Sequence, residues 1–126
     1  MAEGLARKML GTRTEVESAG TNAHVGRASS LAIEVMRSRF GIDISAHNSR
    51  NMHEVSMDDF DYVVAMDNMV ADDLRSMCPN INAKLITWNI DDPIGRGIEA
   101  YEKSAGEIHR RIEELSGYIK ETERKG

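Results

Sequence analysis

The sequence predicts an α/β fold: a parallel sheet with helices on both faces, stacked as three layers. Two observations carry that prediction. The apolar run Asp61-Tyr62-Val63-Val64-Ala65-Met66 has the look of a buried strand and passes at once into a helix start at Asp67 or Asn68. Further along, Tyr101, Ala105, Ile108, Ile112, Leu115 and Ile119 recur at spacings of four, three, four, three and four, which is one face of a long helix. Strands alternating with helices of this length call for parallel pairing, because the crossover helix returns the chain to the same edge of the sheet.

Taken in order, the chain opens directly as a helix. Ala2, Leu5, Ala6, Met9 and Leu10 share a face, and Gly11 is placed to stop it. Thr14 to Ala19 reads as a short strand ended by Gly20. Ser29 or Ser30 then caps a helix running to Phe40, with Ala32, Val35, Met36 and Phe40 as its apolar stripe. Arg37 and Arg39 in its last turn and Gly41 beyond it complete the signature. After the strand at Asp61–Met66, a helix presents Val70, Leu74 and Met77 on one face and is closed by Pro79. Lys84 to Trp88 is the next strand. Asn89 to Gly97 holds two glycines, an Asp pair and Pro93, so it is a loop, and the long helix follows it.

Composition narrows the function. At 126 residues the chain is read as one domain over 1–126, long enough for a single core. Its formal net charge of −5 argues against nucleic acid or an anionic membrane as main partner, since both select a basic footprint. One cysteine, Cys78, excludes an internal disulfide and any site built from several thiolates. Neither a signal peptide nor an apolar run of membrane-spanning length is present, so a cytoplasmic location is expected. The histidines show no metal-ligand spacing, and neither a metal nor another cofactor is expected.

Four stretches, in this order, resemble the low-molecular-weight protein tyrosine phosphatases. They are Met1-Ala2-Glu3-Gly4 opening a helix, Val16-Glu17-Ser18-Ala19-Gly20-Thr21, the run from Asp61 to Asp67, and Asp92-Pro93 with Gly95 before the last helix. His24-Val25-Gly26 and Ser45-Ala46-His47 also fall where similar tripeptides occur. The resemblance implies a Rossmann-like sheet. It also implies hydrolysis of phosphomonoesters, phosphotyrosine or a related phosphoprotein, through a phosphocysteine intermediate. The related thioredoxin-coupled arsenate reductases share much of the pattern, and Trp88-Asn89-Ile90-Asp91-Asp92-Pro93 is as similar to them. That branch relies on further cysteines, whereas this chain offers Cys78 alone and has Met66 where the branch has one.

In the family the chemistry rests on Cys-x5-Arg followed by Ser-Pro, just before the helix that opens Met-Ala-Glu. The 126 residues contain no Cys-x5-Arg. On this reading the first, central strand and the phosphate-binding loop are missing, the chain is N-terminally incomplete, and as it stands it is inactive. A pseudophosphatase that binds a phosphorylated ligand is the alternative. Cys78 is no substitute. Lys84 stands where the arginine would be, the spacer Pro-Asn-Ile-Asn-Ala has no glycine to form a nest of N–H groups, and a helix C-terminus disfavours a thiolate.

Asp92 is the expected catalytic residue, a general acid that protonates the leaving oxygen from a mobile loop; without the resemblance it reads as an Asp starting a turn before proline. Pro93 and Ile94 stand where the substrate-loop wall is, but the aromatics that clamp a phosphotyrosine ring are absent. Acyl phosphates, phosphoarginine and other phosphoproteins therefore compete as substrates. Ser18 and His47 match positions that support the phosphate loop; alternatively they are an ordinary strand-end hydroxyl and a solvated loop histidine. Asp67 lies at the carboxyl end of a strand, where sites gather, but reads first as a helix N-cap.

The expected partners are a phosphorylated protein or small phosphomonoester, and inorganic phosphate or a similar anion held weakly at the N-terminal end of the opening helix. A sheet without its central strand exposes two ladder edges. The slot is therefore expected to be filled by a homodimer's exchanged segment or by a displaced strand of the same chain.

Overall fold

The computed structural model describes residues 1–12, 14–19, 29–46, 50, 55–81, 83–93 and 95–125, with side chains through 122. Six regular elements follow in the expected order: α1 (Ala2–Leu10), α2 (Ser30–Phe40), β1 (Tyr62–Ala65), α3 (Asn68–Met77), β2 (Lys84–Thr87) and α4 (Ile98–Lys125), with a 3-10 turn at Met57–Asp59. They fall into two compact units. Residues 1–18, 27–48 and 92–126 form the first, and residues 19–26 and 49–91 the second.

The first unit is helical, and α4 is its spine, touching both α1 and α2. Leu5 from α1, Val35 and Met36 from α2, and Tyr101, Ala105, Ile108 and Ile112 from α4 are buried. Removing each large apolar side chain among them from water stabilises the fold by about 1.5–3 kcal/mol. The ends are fixed by local chemistry. Ser29 accepts the Ala32 N–H at 3.2 Å as N-cap of α2. Gly41, at φ 65, ends that helix with paired bonds, Gly41 N–H to Arg37 C=O and Ile42 N–H to Met36 C=O, both 3.1 Å. Lys8 donates to the Phe40 carbonyl, Arg39 pairs with Glu102, and the Phe40 and His109 rings stack at 5.4 Å. Gly4 is needed because α1 lies close to the chain after α2, where a Cβ would meet Ile44 Cγ2 at 2.9 Å.

The second unit is a β-α-β crossover. β1 and β2 pair in parallel with Tyr62 opposite Lys84 and Ala65 opposite Thr87. The pairing continues past β2, Trp88 N–H reaching Ala65 C=O at 2.8 Å and Ile90 N–H reaching Met66 C=O at 3.1 Å. Ala71 and Leu74 of α3 bury against Ala65, with Val63, Val70, Leu85 and Cys78 around them.

One expected strand differs. From Thr14 to Ala19 alternate residues are half-buried and exposed as in a strand, but the segment belongs to no ladder among the described residues. Two of its backbone groups are taken by side chains of α1 instead. Arg7 donates to Val16 C=O at 3.0 Å, and Glu3 accepts the Ser18 N–H at 2.9 Å. The sheet among the described residues has two strands.

Candidate functional site

Ser18 is held at the first turn of α1. Glu3 Oε1 accepts both its N–H at 2.9 Å and its hydroxyl at 3.2 Å, and Arg7 lies 3.8 Å from the same oxygen. The Glu3 side chain is only 13% exposed while that of Arg7 is 60% exposed, so the carboxylate is the sheltered partner. Sequence reasoning missed Glu3 and Arg7. The signal available for them is an opposite-charge pair spaced i, i+4 in the opening helix. The Met1 ammonium is at the same helix end. Burial pushes it below its ordinary value of 8.0, and the Glu3 carboxylate pulls it partly back.

Asp92 is exposed and follows the stretch in which Ile90 still pairs with Met66, beyond the carboxyl end of β2. Pro93 opens a tight turn behind it: Arg96 N–H returns to Pro93 C=O at 3.0 Å, and Gly95 takes φ 78, a conformation that favours glycine. Ser18, Asp92 and Pro93 all belong to the first unit. His47 and Ile94 lie outside the described residues, as do His24-Val25-Gly26 and the Gly20-Thr21 end of the second motif. Earlier in the sequence, Asp43 accepts the Ser45 N–H at 2.9 Å, and hydrogen bonds from Ser45 hold the Asp43 carboxyl below its ordinary range.

Asp67 is the N-cap of α3, accepting Val70 N–H at 2.8 Å, which is the structural role first read for it. Cys78 ends the same helix, its N–H bonded to Leu74 C=O at 2.8 Å and its side chain against the Ala65–Leu74 cluster. It belongs to the second unit, whereas Asp92 belongs to the first. Among the described residues, no group of three or more His, Cys, Asp and Glu side chains is placed to hold a metal ion. No helix among them is long and apolar enough to cross a membrane.

Parallel strands joined by a crossover helix, with Asp92-Pro93 following the second strand in sequence, define an α/β protein. The family model for low molecular weight phosphotyrosine protein phosphatase matches residues 1–125. The chain belongs to that family.

It is 35% identical to arsenate reductase 2 of Staphylococcus haemolyticus over 115 residues, 90% of this chain and 82% of that protein. It is also 35% identical to the low molecular weight protein tyrosine phosphatase from T. tengcongensis, with TM-score 0.82, covering 90% of this chain and 86% of that one. The YwlE arginine phosphatase from Geobacillus stearothermophilus aligns at TM-score 0.87 and 26% identity, over 98% of this chain and 86% of that one.

Proposed function

We propose that this chain is the body of a cytoplasmic phosphatase that hydrolyses phosphomonoesters, with Asp92 as its general acid. The reading needs a nucleophile and a phosphate-holding arginine from a Cys-x5-Arg segment that the 126 residues do not contain. When that segment is present, its thiolate attacks phosphorus and the P–O bond to the leaving group breaks. Asp92 delivers a proton to the departing oxygen, and its exposed position in a glycine-hinged loop suits closing over substrate. No cofactor enters these steps.

The observation that carries the reading is the Asp92-Pro93 turn in a chain whose single thiol is packed at the end of α3. Identity alone does not choose between phosphatase and reductase, since relatives of both kinds stand at 35%. What favours the phosphatase is Met66, which stands where the arsenate reductase branch has a relay cysteine, together with Cys78 packed at the end of α3. The same loop bears on substrate class. Ile94 and Gly95 follow Pro93 in the sequence, so this stretch brings no aromatic ring of the kind that walls a phosphotyrosine. Phosphoarginine is the second reading, since the Geobacillus relative is named an arginine phosphatase.

Without its nucleophile the chain keeps only a weak affinity for inorganic phosphate at the N-terminal end of α1. The positive end of the α1 dipole and the Met1 ammonium are what attract the anion there. Titration with phosphate, followed by amide NMR, tests this part. Shifts at Ala2–Leu5 and Ser18 are expected, and shifts confined to α3 and β2 contradict it.

A further inference from the structure

A helix lying on a sheet turns its apolar residues inward and its polar ones to water. The inner face of α3 obeys this: Ala71 and Leu74 are buried against Ala65, with Val70 and Cys78 beside them. Its outer face does not. Met69 is 78% exposed and Met77 41% exposed, so two of the four large apolar side chains left in water among the described residues sit on this one ten-residue helix. Asp73 stands midway, four residues from each. The three form one row about 12 Å long on the solvent side.

The row belongs to an acidic unit. Residues 19–26 and 49–91 carry eight Asp and Glu against three Lys and Arg, a formal −5 that equals the charge of the whole chain, so the helical unit is neutral. Asp72 borders the row and pairs with Arg75 at 3.2 Å, whereas Asp73 is in no ion pair among the described residues. Methionine is unbranched and polarisable, and repacks against varied shapes, which suits a transient contact.

We propose that the outer face of α3 is a docking surface for a basic amphipathic helix of a partner protein. The partner's apolar residues cover Met69 and Met77, and its lysines or arginines meet Asp72 and Asp73. Charge complementarity selects this occupant: an acidic helix is repelled, and a second copy brings the same carboxylates to the same place. One row of side chains makes a small, salt-sensitive contact of the transient class. The inference goes beyond the phosphatase reading and does not depend on it.

The probe is a synthetic helix of about 16 residues, with Leu at i, i+3, i+4 and i+7 on one face and Lys elsewhere. It is titrated into the 126-residue chain and followed by amide NMR. Saturable shifts across Met69–Met77 are expected. Met69→Gln with Met77→Gln puts good helix formers at exposed positions and is expected to weaken binding by about fivefold or more. Asp73→Lys is expected to weaken it by roughly threefold to tenfold, and added salt to weaken it in the unaltered chain. A peptide with Glu for Lys, and one with Ser for Leu, are expected to leave α3 unshifted at the same concentration.

Shifts confined to residues outside α3, unchanged affinity in the double Met variant, or an equal response to the Ser peptide overturns the proposal. Shifts at Met69–Met77 that follow the concentration of the chain alone make a second copy the occupant, and overturn it too. Thermal melts check that the variants fold; if one does not, the other and the two control peptides decide.

Discussion

Asp67 accepts the third N–H of α3 at 2.8 Å, and removing that acceptor leaves one donor of the first turn unpaired. Asp67→Ala is expected to destabilise the fold by about 1 kcal/mol without altering phosphate binding, as read by urea unfolding and the NMR titration. The Met1 amine gives a pH effect of defined sign. Its folded value lies below 8.0, so the unfolded chain holds more protons between the folded value and 8.0, and stability rises with pH across that window. N-terminal acetylation of the 126-residue polypeptide is expected to abolish that rise in denaturant midpoint. Asp67 was legible in the sequence because an N-cap is a local matter of one carboxylate and an amide three residues on. The Glu3–Ser18 contact was not, because its partners lie in different elements and nothing local distinguishes Glu3 from an ordinary first-turn acid.

The glycines of the helices separate propensity from packing. A Cβ at Gly117, inside α4, meets nothing within 4 Å, so Gly117→Ala should stabilise by about 0.8–1 kcal/mol through backbone entropy alone. At Gly4 the same gain is opposed by a Cβ contact of 2.9 Å to a stiff β-branched side chain, Ile44, and overpacking of that kind costs about 1–3 kcal/mol. Gly4→Ala is therefore expected to be neutral or destabilising, and paired thermal melts of the two variants check the contrast. Every helix was legible from its stripe and its caps, since those signals are periodic and local. Thr14–Ala19 was read as a strand and has the alternation of one, but pairing is a tertiary event. Its backbone partners turned out to be Arg7 and Glu3, which no pattern within the segment records.

At the scale of the whole molecule, the order of the four motifs pointed to the family before any coordinates, and the family model matches residues 1–125. Truncating the α4 spine tests the helical unit: Ile112→Ala, at a fully buried position, is expected to cost about 2–5 kcal/mol by denaturant unfolding. The central claim concerns chemistry, and turnover of p-nitrophenyl phosphate addresses it most directly, measured on the 126-residue chain and on the same chain preceded by a relative's first strand and Cys-x5-Arg-Ser-Pro loop. The first is expected to be inert. Absence of a covalent nucleophile typically lowers kcat on the order of 10⁶-fold, and the packed Cys78 does not replace it. The second is expected to turn over, and Asp92→Asn in it to slow the reaction by about 10²–10⁴-fold. Turnover by the 126 residues alone that disappears in Cys78→Ser, or a folded but inert extended chain, would contradict the account.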